Sequence, residues 1–203
     1  MNNLLGITGG KSMGKDTVAK IINTLHQKQY KTKRFADPLK RFVADILGVS
    51  VELLEDRAYK ETALGEEWSY FETFSDRRRV YSSRDSIPTV PNTHFTKKYY
   101  TPRLLMQLIG TEVGRQVHEN IWINALFSNY NENSKWIIPD TRFDNEAQAI
   151  KDRGGIIIKV QRDVDTTDTH ASEKGVSDKY VDIVIDNNGS MEELIEKVKT
   201  ILK

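Results

Sequence analysis

The sequence contains no cysteine, which excludes disulfide bonds, thiolate catalysis and cysteine-based zinc sites. No apolar run approaches the roughly 20 residues that a membrane-spanning helix needs. The first ten residues, MNNLLGITGG, also lack the basic segment and long apolar stretch of a secretory signal. These absences predict a protein without a membrane partner, located by default in the cytoplasm.

A strong excess of charge of either sign is also missing. The chain carries 30 basic and 29 acidic side chains, for a formal net charge of +1. Proteins whose main partner is duplex nucleic acid usually show a strongly basic face, so this balance argues against that class. The 203 residues, 38% of them hydrophobic, are enough to bury a core. Because one domain commonly takes roughly 100–200 residues, we expect a single domain over 1–203.

Short apolar segments alternate along the chain with amphipathic helical patterns. This alternation is typical of an α/β fold with a mostly parallel central sheet flanked by helices. We predict strands at 4–8, 33–35, 136–139, 156–160 and 181–185. Helices are predicted from about Gly14, Pro38, Thr101, Glu119, Asp144 and Ser190.

The region 55–100 does not follow this alternation. It is rich in charged and aromatic residues, holds two of the five prolines and shows no clear period. We interpret it as a helical or irregular insertion in the domain, able to act as a flap.

The segment from Gly9 to Thr17, GGKSMGKDT, has the features of a phosphate-binding loop. It follows an apolar strand and opens an amphipathic helix, which is the context that this motif requires. Gly9 and Gly14 allow a tight turn that brings backbone N–H groups onto phosphate oxygens. The helix N-terminus adds partial positive charge, and Lys15 adds a full charge for the β- and γ-phosphates. The alternative is a glycine-rich turn with a surface lysine.

The loop departs from the usual pattern at one position. Asp16 stands where a Ser or Thr normally follows the lysine, and the hydroxyl comes one residue later at Thr17. The group that meets magnesium therefore stays open. Asp16 either holds the metal through water or caps the helix.

A second candidate segment is the apolar run Trp136 to Pro139, which is followed by Asp140. An acid at the carboxyl end of a strand lies at the edge where α/β proteins bind ligands. Asp140 is therefore placed to hold magnesium through water, and Arg142 to bind phosphate with two parallel donors. The alternative is that Asp140 caps the next helix and Arg142 pairs with a surface acid.

Together these segments resemble the deoxynucleoside monophosphate kinases of phages and their bacterial relatives. The resemblance runs in order through nearly the whole chain, except that 55–100, which bears on substrate choice, matches poorly. It is carried by the segments 14–17, 35–40, 103–111, 139–142, 168–170 and 186–190, together with Trp122, Asp144 and Glu146. It implies a three-layer P-loop NTPase fold and transfer of the γ-phosphoryl group of ATP, with Mg²⁺, to a deoxynucleoside 5′-monophosphate.

The resemblance also implies a set of site residues. The ATP phosphates are expected on Gly9, Gly14, Lys15, Asp16 and Thr17, with Lys11 near the transferring phosphate. Lys11, Lys15, Asp140 and Arg142 are the expected catalytic residues, and Thr17 and Asp140 the expected magnesium ligands, directly or through water. The acceptor site that it implies comprises Leu39, Lys40, Arg103, Gly110, Thr111, Trp122, Asp140, Arg142 and Glu146. Apart from the resemblance, Arg57 at the mouth of the insertion is a further candidate for binding the acceptor's phosphate.

Some of these residues have other interpretations. Trp122 either stacks on base or sugar or packs in the core beside Ile121 and Leu126. Gly110 either lets a ligand approach a helix end or simply breaks the helix. Six further residues are weaker candidates. They either close over the substrates, stabilise charge, or are ordinary surface or loop residues. They are Arg77, Arg78, Arg79, Arg84, Arg162 and His170. The flap at 55–100 and the loop at 163–178 are expected to exclude water.

Two other functions stay open at this point. One is a kinase for another small phosphorylated acceptor, of the dephospho-CoA or phosphomevalonate type, and the other is a non-catalytic nucleotide-binding module. The expected partners are small-molecule nucleotides. Whether the chain forms a homodimer is open, and a phage-encoded protein would work in the host cytoplasm.

Overall fold

The computed structural model describes residues 3–73, 79–80, 94–163 and 175–201. The chain divides into two compact units. The first comprises Met1–Pro38 and Val117–Lys203, and the second Leu39–Gln116. Among the described residues, no helix is both long and apolar enough to cross a membrane.

The first unit is built on a five-stranded sheet. Its strands are β1 (Leu4–Thr8), β2 (Lys31–Thr32), β6 (Trp136–Ile138), β7 (Ile156–Gln161) and β8 (Ile183–Asp186). Their order is β2-β6-β1-β7-β8, and every pair is parallel. The predicted parallel α/β sheet is therefore confirmed.

Helices cover both faces of this sheet. They are α1 (Lys15–Leu25), α6 (Ile121–Phe127), α7 (Asp144–Lys151) and α8 (Met191–Ile201), and the start of α2 (Ala36–Leu47) also belongs to this unit. Successive strand residues point to opposite faces, so Leu4 packs with α6 and α7 whereas Leu5 packs with α1 and α8. This gives the three layers of the expected P-loop fold.

Several predicted boundaries were wrong. The second strand covers Lys31–Thr32 rather than 33–35, and α2 begins at Ala36, two residues before Pro38. Proline is tolerated there because the first N–H groups of a helix have no partner within the helix. The helix α8 is capped by Ser190, whose Oγ accepts a hydrogen bond from the Glu193 N–H at 3.3 Å.

The second unit contains the rest of α2 and the π-helical turn Leu108–Val113. It also contains the short helices α3 (Arg57–Glu61), α4 (Pro102–Gln107) and α5 (Gly114–Val117). The last residue of α5 belongs to the first unit. The second unit also holds a three-stranded antiparallel sheet in the order β4-β3-β5, formed by Arg79–Val80, Ser69–Thr73 and Phe95–Tyr99. The hydrophobic core of this unit includes the buried side chains of Tyr70, Tyr100 and Leu105.

The helix α3 lies within 55–100, where a helical or irregular insertion was predicted, but the antiparallel sheet was not predicted. Its strands β3 and β5 pair across more than 20 residues of sequence, and β5 is largely exposed. Lys98 on β5 forms an ion pair with Glu72 on β3. Because such polar strands carry no apolar period, their pairing leaves little trace in the sequence.

Several weaker sequence candidates lie outside the described residues. These are Arg77, Arg78, Arg84, His170 and most of the loop at 163–178. Arg79 lies in the two-residue strand β4, and Arg162 is exposed directly after β7.

Candidate active site

The phosphate loop joins β1 to α1 and takes a backbone shape that requires glycine. Gly9 has a φ of 143° and Gly14 a φ of 97°, both of which residues with a side chain rarely adopt. A Cβ on Gly9 would lie 2.5 Å from the Val160 carbonyl oxygen, and a Cβ on Gly14 would lie 2.4 Å from the Asn187 Nδ2. The loop is therefore pressed against the ends of the neighbouring strands β7 and β8.

Lys15 is the first residue of α1, and its ammonium turns back into the loop. The Nζ donates to the carbonyl oxygens of Gly9 at 2.8 Å and Gly10 at 2.6 Å. These bonds hold a positive charge where the backbone N–H groups of the loop and the helix N-terminus also concentrate positive potential. Thr17 is partly buried in the first turn of α1, and Lys11 is exposed.

Asn187, at the end of β8, fixes the turn of the loop from the neighbouring strand. Its Nδ2 donates to the Met13 carbonyl oxygen at 2.8 Å, and its own backbone N–H donates to the Gln161 carbonyl oxygen at 2.8 Å. The second bond continues the pairing of β7 with β8 and so places the side chain. Asn187 belongs to the segment 186–190 that carries the family resemblance, but its contact with the loop was not predicted.

Asp16 does not cap α1, because the helix has no side-chain cap. Instead its Oδ1 lies 2.7 Å from the Nη2 of Arg34. The pKa of Arg34 lies above its ordinary value. Burial acts to lower this pKa, but the hydrogen bond to Asp16 and the charges of Asp16, Asp140 and Asp37 raise it by more. Arg34 is thus a cation next to three carboxylates. Arg34 was not predicted as a site residue, because an arginine between a short strand and a helix has no distinctive spacing.

Asp140 follows β6 at the carboxyl edge of the sheet, as predicted. Its two carboxylate oxygens accept the backbone N–H groups of Phe35 and Ala36, each at 3.0 Å. It therefore caps α2 rather than the next helix, α7. Burial raises the pKa of Asp140, although these two hydrogen bonds and the charge of Arg142 act to lower it.

The oxygen-bearing side chains near the loop, Thr17 and Asp140, fit a magnesium ion that is held in part by substrate. Within the described part of the chain, no three His, Asp or Glu side chains form a ready metal cluster. Magnesium in phosphotransferases usually takes one or two protein ligands and several oxygens from phosphate and water. The Thr17 hydroxyl and the Asp140 carboxylate offer oxygen atoms of the kind that magnesium binds. Burial of the Asp140 carboxylate makes its charge costly, and a nearby divalent cation would offset that cost.

Arg142 and Glu146 lie together at the start of α7. The Glu146 Oε2 accepts the backbone N–H groups of Arg142 at 2.8 Å and Phe143 at 3.2 Å. Through these two hydrogen bonds the buried Glu146 side chain caps the N-terminus of α7. This structural function was not predicted. Arg142 is partly buried, and its guanidinium is close enough to Asp140 to act on that carboxyl's pKa.

Trp122 lies on α6 beside the core rather than within it. The buried residues of this helix are Ile123, Leu126 and Phe127, whereas Trp122 keeps part of its surface exposed. Its function in acceptor binding stays a prediction.

Within the second unit, two predicted acceptor residues are in contact. The Leu39 Cδ2 lies 2.6 Å from the point that a Cβ on Gly110 would occupy, so Gly110 makes room for Leu39. Gly110 is buried inside the π-helical turn Leu108–Val113 and does not end a helix there. Thr111, next in the turn, is partly buried.

The predicted basic residues of the second unit lie on α2, α3 and α4. Lys40 forms an ion pair with Glu55 at 2.5 Å, and Arg103 forms an ion pair with Glu61. Arg57 is exposed at the first residue of α3. Lys60, which the sequence analysis did not single out, lies 3.8 Å from the same Glu55 carboxylate.

The fold and the loop define a class of protein: an α/β kinase of the P-loop type. The family model described as deoxynucleotide monophosphate kinase matches residues 45–198, and the chain belongs to this family. A protein of Acanthamoeba polyphaga mimivirus with the same family description is 30% identical over 212 residues, covering 96% of this chain and 93% of that protein.

Two phage enzymes are also similar to this chain. The deoxynucleoside-5′-monophosphate kinase of Escherichia phage T5 is 27% identical over 222 residues, covering 89% of this chain and 88% of the enzyme. The deoxynucleotide monophosphate kinase of Enterobacteria phage T4 is 34% identical over 111 residues, covering 51% of this chain and 46% of the enzyme. The family suggested by the sequence motifs is therefore confirmed.

Proposed function

We propose that this chain transfers the γ-phosphoryl group of ATP to a deoxynucleoside 5′-monophosphate, giving ADP and the deoxynucleoside diphosphate. The observation that carries the proposal is the Lys15 ammonium, held by the Gly9 and Gly10 carbonyl oxygens inside a glycine turn at a helix N-terminus. Family membership supplies the acceptor class, since the relatives are named for deoxynucleotide monophosphates. The expected partners are therefore small nucleotides.

In the proposed reaction, an oxygen of the acceptor's phosphate attacks the γ-phosphorus. A new P–O bond forms to the acceptor while the bond between the γ-phosphorus and the β–γ bridging oxygen breaks, and ADP leaves with that electron pair. The attacking oxygen is already anionic, so no strong base is required. Catalysis then depends on alignment and on positive charge at the transferring group, supplied by Lys15, Lys11 and Arg142.

We assign magnesium to the Thr17 hydroxyl and Asp140, directly or through water. When bound, the ion neutralises charge on the β- and γ-phosphate oxygens. Asp140 also holds the N-terminus of α2 through Phe35 and Ala36.

We place acceptor recognition on Leu39, Lys40, Arg57, Arg103, Gly110 and Thr111 of the second unit, with Trp122, Asp140, Arg142 and Glu146 of the first. The donor residues Gly9, Gly14, Lys15, Asp16 and Thr17 all belong to the first unit. We also propose that residues 1–203 work as one kinase domain, so that variants in either unit reduce turnover.

The deciding experiment is a coupled ADP-release assay with ATP as donor and a panel of acceptors. The panel contains the deoxynucleoside and ribonucleoside 5′-monophosphates, together with dephospho-CoA and phosphomevalonate. Turnover that depends on a deoxynucleoside monophosphate is expected. Activity confined to a non-nucleotide acceptor would reject the proposed substrate, and ATP binding without any acceptor-dependent turnover would favour a nucleotide-binding module.

A further inference from the structure

The second unit contains three basic side chains that share two carboxylates. Lys40 comes from α2, Lys60 from α3 and Arg103 from α4, and their partners are Glu55 and Glu61. The turn Leu53–Glu55 and α4 both pack against α3, which brings these side chains to one place. The charge of Lys60 is coupled to those of Lys40 and Arg103, as expected for neighbouring cations.

One carboxylate bridges the two lysines. The Glu55 Oε1 lies 2.5 Å from the Lys40 Nζ, and its Oε2 lies 3.8 Å from the Lys60 Nζ. A single negative charge therefore faces two ammonium groups. A phosphate monoester near pH 7 carries a charge of about −1.5 to −2 and three acceptor oxygens, so it matches this pair of cations better than the carboxylate does.

Burial differs between the cations and their carboxylate partners. The side chains of Lys40 and Lys60 are 12% and 19% exposed, whereas that of Glu55 is 54% exposed. The carboxylate can thus rotate into water while the ammonium groups stay in place. Burial lowers the pKa of Lys60, and the neighbouring Lys40 and Arg103 lower it further, although the charge of Glu55 acts in the opposite sense. An added dianion would relieve this excess of buried positive charge.

We propose that Lys60 is a further acceptor-binding residue, which joins Lys40 and Arg103 around the phosphate of the nucleoside monophosphate in place of Glu55 and Glu61. This inference rests on the proposed function, because it assigns the acceptor's phosphate to the second unit. Glu55 then serves as an internal competitor that keeps the lysines paired until the substrate arrives.

The experiment compares two substitutions of opposite charge. Lys60→Met keeps the aliphatic stem and removes the ammonium. We expect it to raise the KM for the deoxynucleoside monophosphate at least about tenfold, as the loss of a charge-assisted contact would. The KM for ATP should stay within about twofold, and Lys60→Arg should restore much of the loss because it restores the positive charge. Glu55→Gln removes the competitor and should leave the acceptor KM unchanged or lower it a few-fold.

A purely structural ion-pair cluster gives a different result. In that case Lys60→Met and Glu55→Gln both break the same ion pairs. Both variants would then lose stability and show a raised acceptor KM, or neither variant would change the acceptor KM. Lys98→Met is the matched control, because Lys98 is an exposed lysine of the same unit that is also paired with a glutamate, Glu72. It should leave both KM values unchanged.

Calorimetric titration separates phosphate recognition from base recognition. Lys60→Met should weaken binding of the monophosphate but leave binding of the corresponding deoxynucleoside unchanged. Normal acceptor KM in an active Lys60→Met variant would overturn the Lys60 assignment alone. A wild-type protein that phosphorylates none of the deoxynucleoside monophosphates would overturn the proposed function, and the Lys60 assignment with it.

Discussion

The ammonium of Lys15 is bonded to two carbonyl oxygens of its own loop, so its removal tests chemistry more than folding. We expect Lys15→Met to reduce turnover by at least about a hundredfold, since a preorganised donor to a transition state typically contributes that much. Stability should change by no more than about 1 kcal/mol, because the freed carbonyl oxygens lie at a partly exposed site. Initial rates and thermal melting measure the two effects.

Lys20→Met is the control for Lys15, because Lys20 is an exposed lysine on the same helix. It should keep nearly full activity. If Lys15→Met retained turnover comparable to Lys20→Met, the loop would not be the phosphate site.

Gly9 tests the backbone of the same loop. Its φ of 143° and the 2.5 Å approach of the Val160 carbonyl oxygen both exclude a side chain. We expect Gly9→Ala to cost at least about 2 kcal/mol of unfolding free energy, from strain together with a backbone clash. Chemical denaturation measures this cost.

Gly154→Ala provides the comparison for Gly9→Ala. Gly154 has a φ of 71° but no atom within 4 Å of an added Cβ, so only the strain of the left-handed region applies. It should cost about 1–2 kcal/mol and leave ATP binding intact. Equal costs at the two positions, with ATP binding retained in both, would show that Val160 does not constrain the loop.

Residue types and spacing were sufficient to predict the turn between β1 and α1, because the glycines that it requires, Gly9 and Gly14, lie in one short segment. They were not sufficient for the partners of these residues. Arg34 pairs with Asp16 from 18 positions away, and Phe35 and Asp140 meet across 105 positions. Such contacts depend on which strands become neighbours, and no local pattern encodes that.

At the scale of elements, α7 is attached at its start by Asp144. The Asp144 Oδ1 accepts the Ser177 backbone N–H at 2.8 Å, and its Oδ2 accepts the Ser177 hydroxyl at 2.6 Å. The hydroxyl bond first, and then the backbone bond, lower the pKa of Asp144. A carboxyl whose pKa is lower in the folded state contributes stability above its unfolded pKa of about 3.9, and this contribution is lost as the pH falls through the folded value.

We therefore expect Ser177→Ala to be less stable than the wild type at pH 6–7, with the difference shrinking as the pH falls below about 3.9. Urea unfolding at several pH values measures it. Ser128→Ala is the control, because the Ser128 hydroxyl donates to the neutral Ala125 carbonyl oxygen, and its effect should not depend on pH in this range. A Ser177→Ala difference that was constant or grew on acidification would contradict the assignment to Asp144.

The elements themselves followed from the sequence to different degrees. The buried strands and amphipathic helices of the first unit were predicted because apolar residues mark both. The sheet of the second unit was missed because β3 and β5 are held by polar pairs such as Glu72 with Lys98, which have no characteristic period. The π-helical turn at Gly110 was missed for a related reason, since its sequence continues the helical pattern of α4.

At the scale of the whole molecule, the two units have separate cores and carry different site residues. The phosphate loop belongs to the first unit, and the cluster of Lys40, Lys60 and Arg103 belongs to the second. Hydrogen exchange measured on the complete protein can therefore assign each substrate to its residues. A non-hydrolysable ATP analogue should slow amide exchange within 9–17, because we propose that those N–H groups donate to its phosphate oxygens.

A deoxynucleoside monophosphate should instead slow exchange within 57–61 and 102–107, since α3 and α4 carry Arg57, Lys60 and Arg103. The matched control is the deoxynucleoside without its phosphate, which should leave 57–61 unchanged. Protection of 57–61 by the deoxynucleoside alone would assign these residues to the base or sugar. No protection there by the monophosphate, at concentrations that support turnover, would remove the second unit from acceptor phosphate binding.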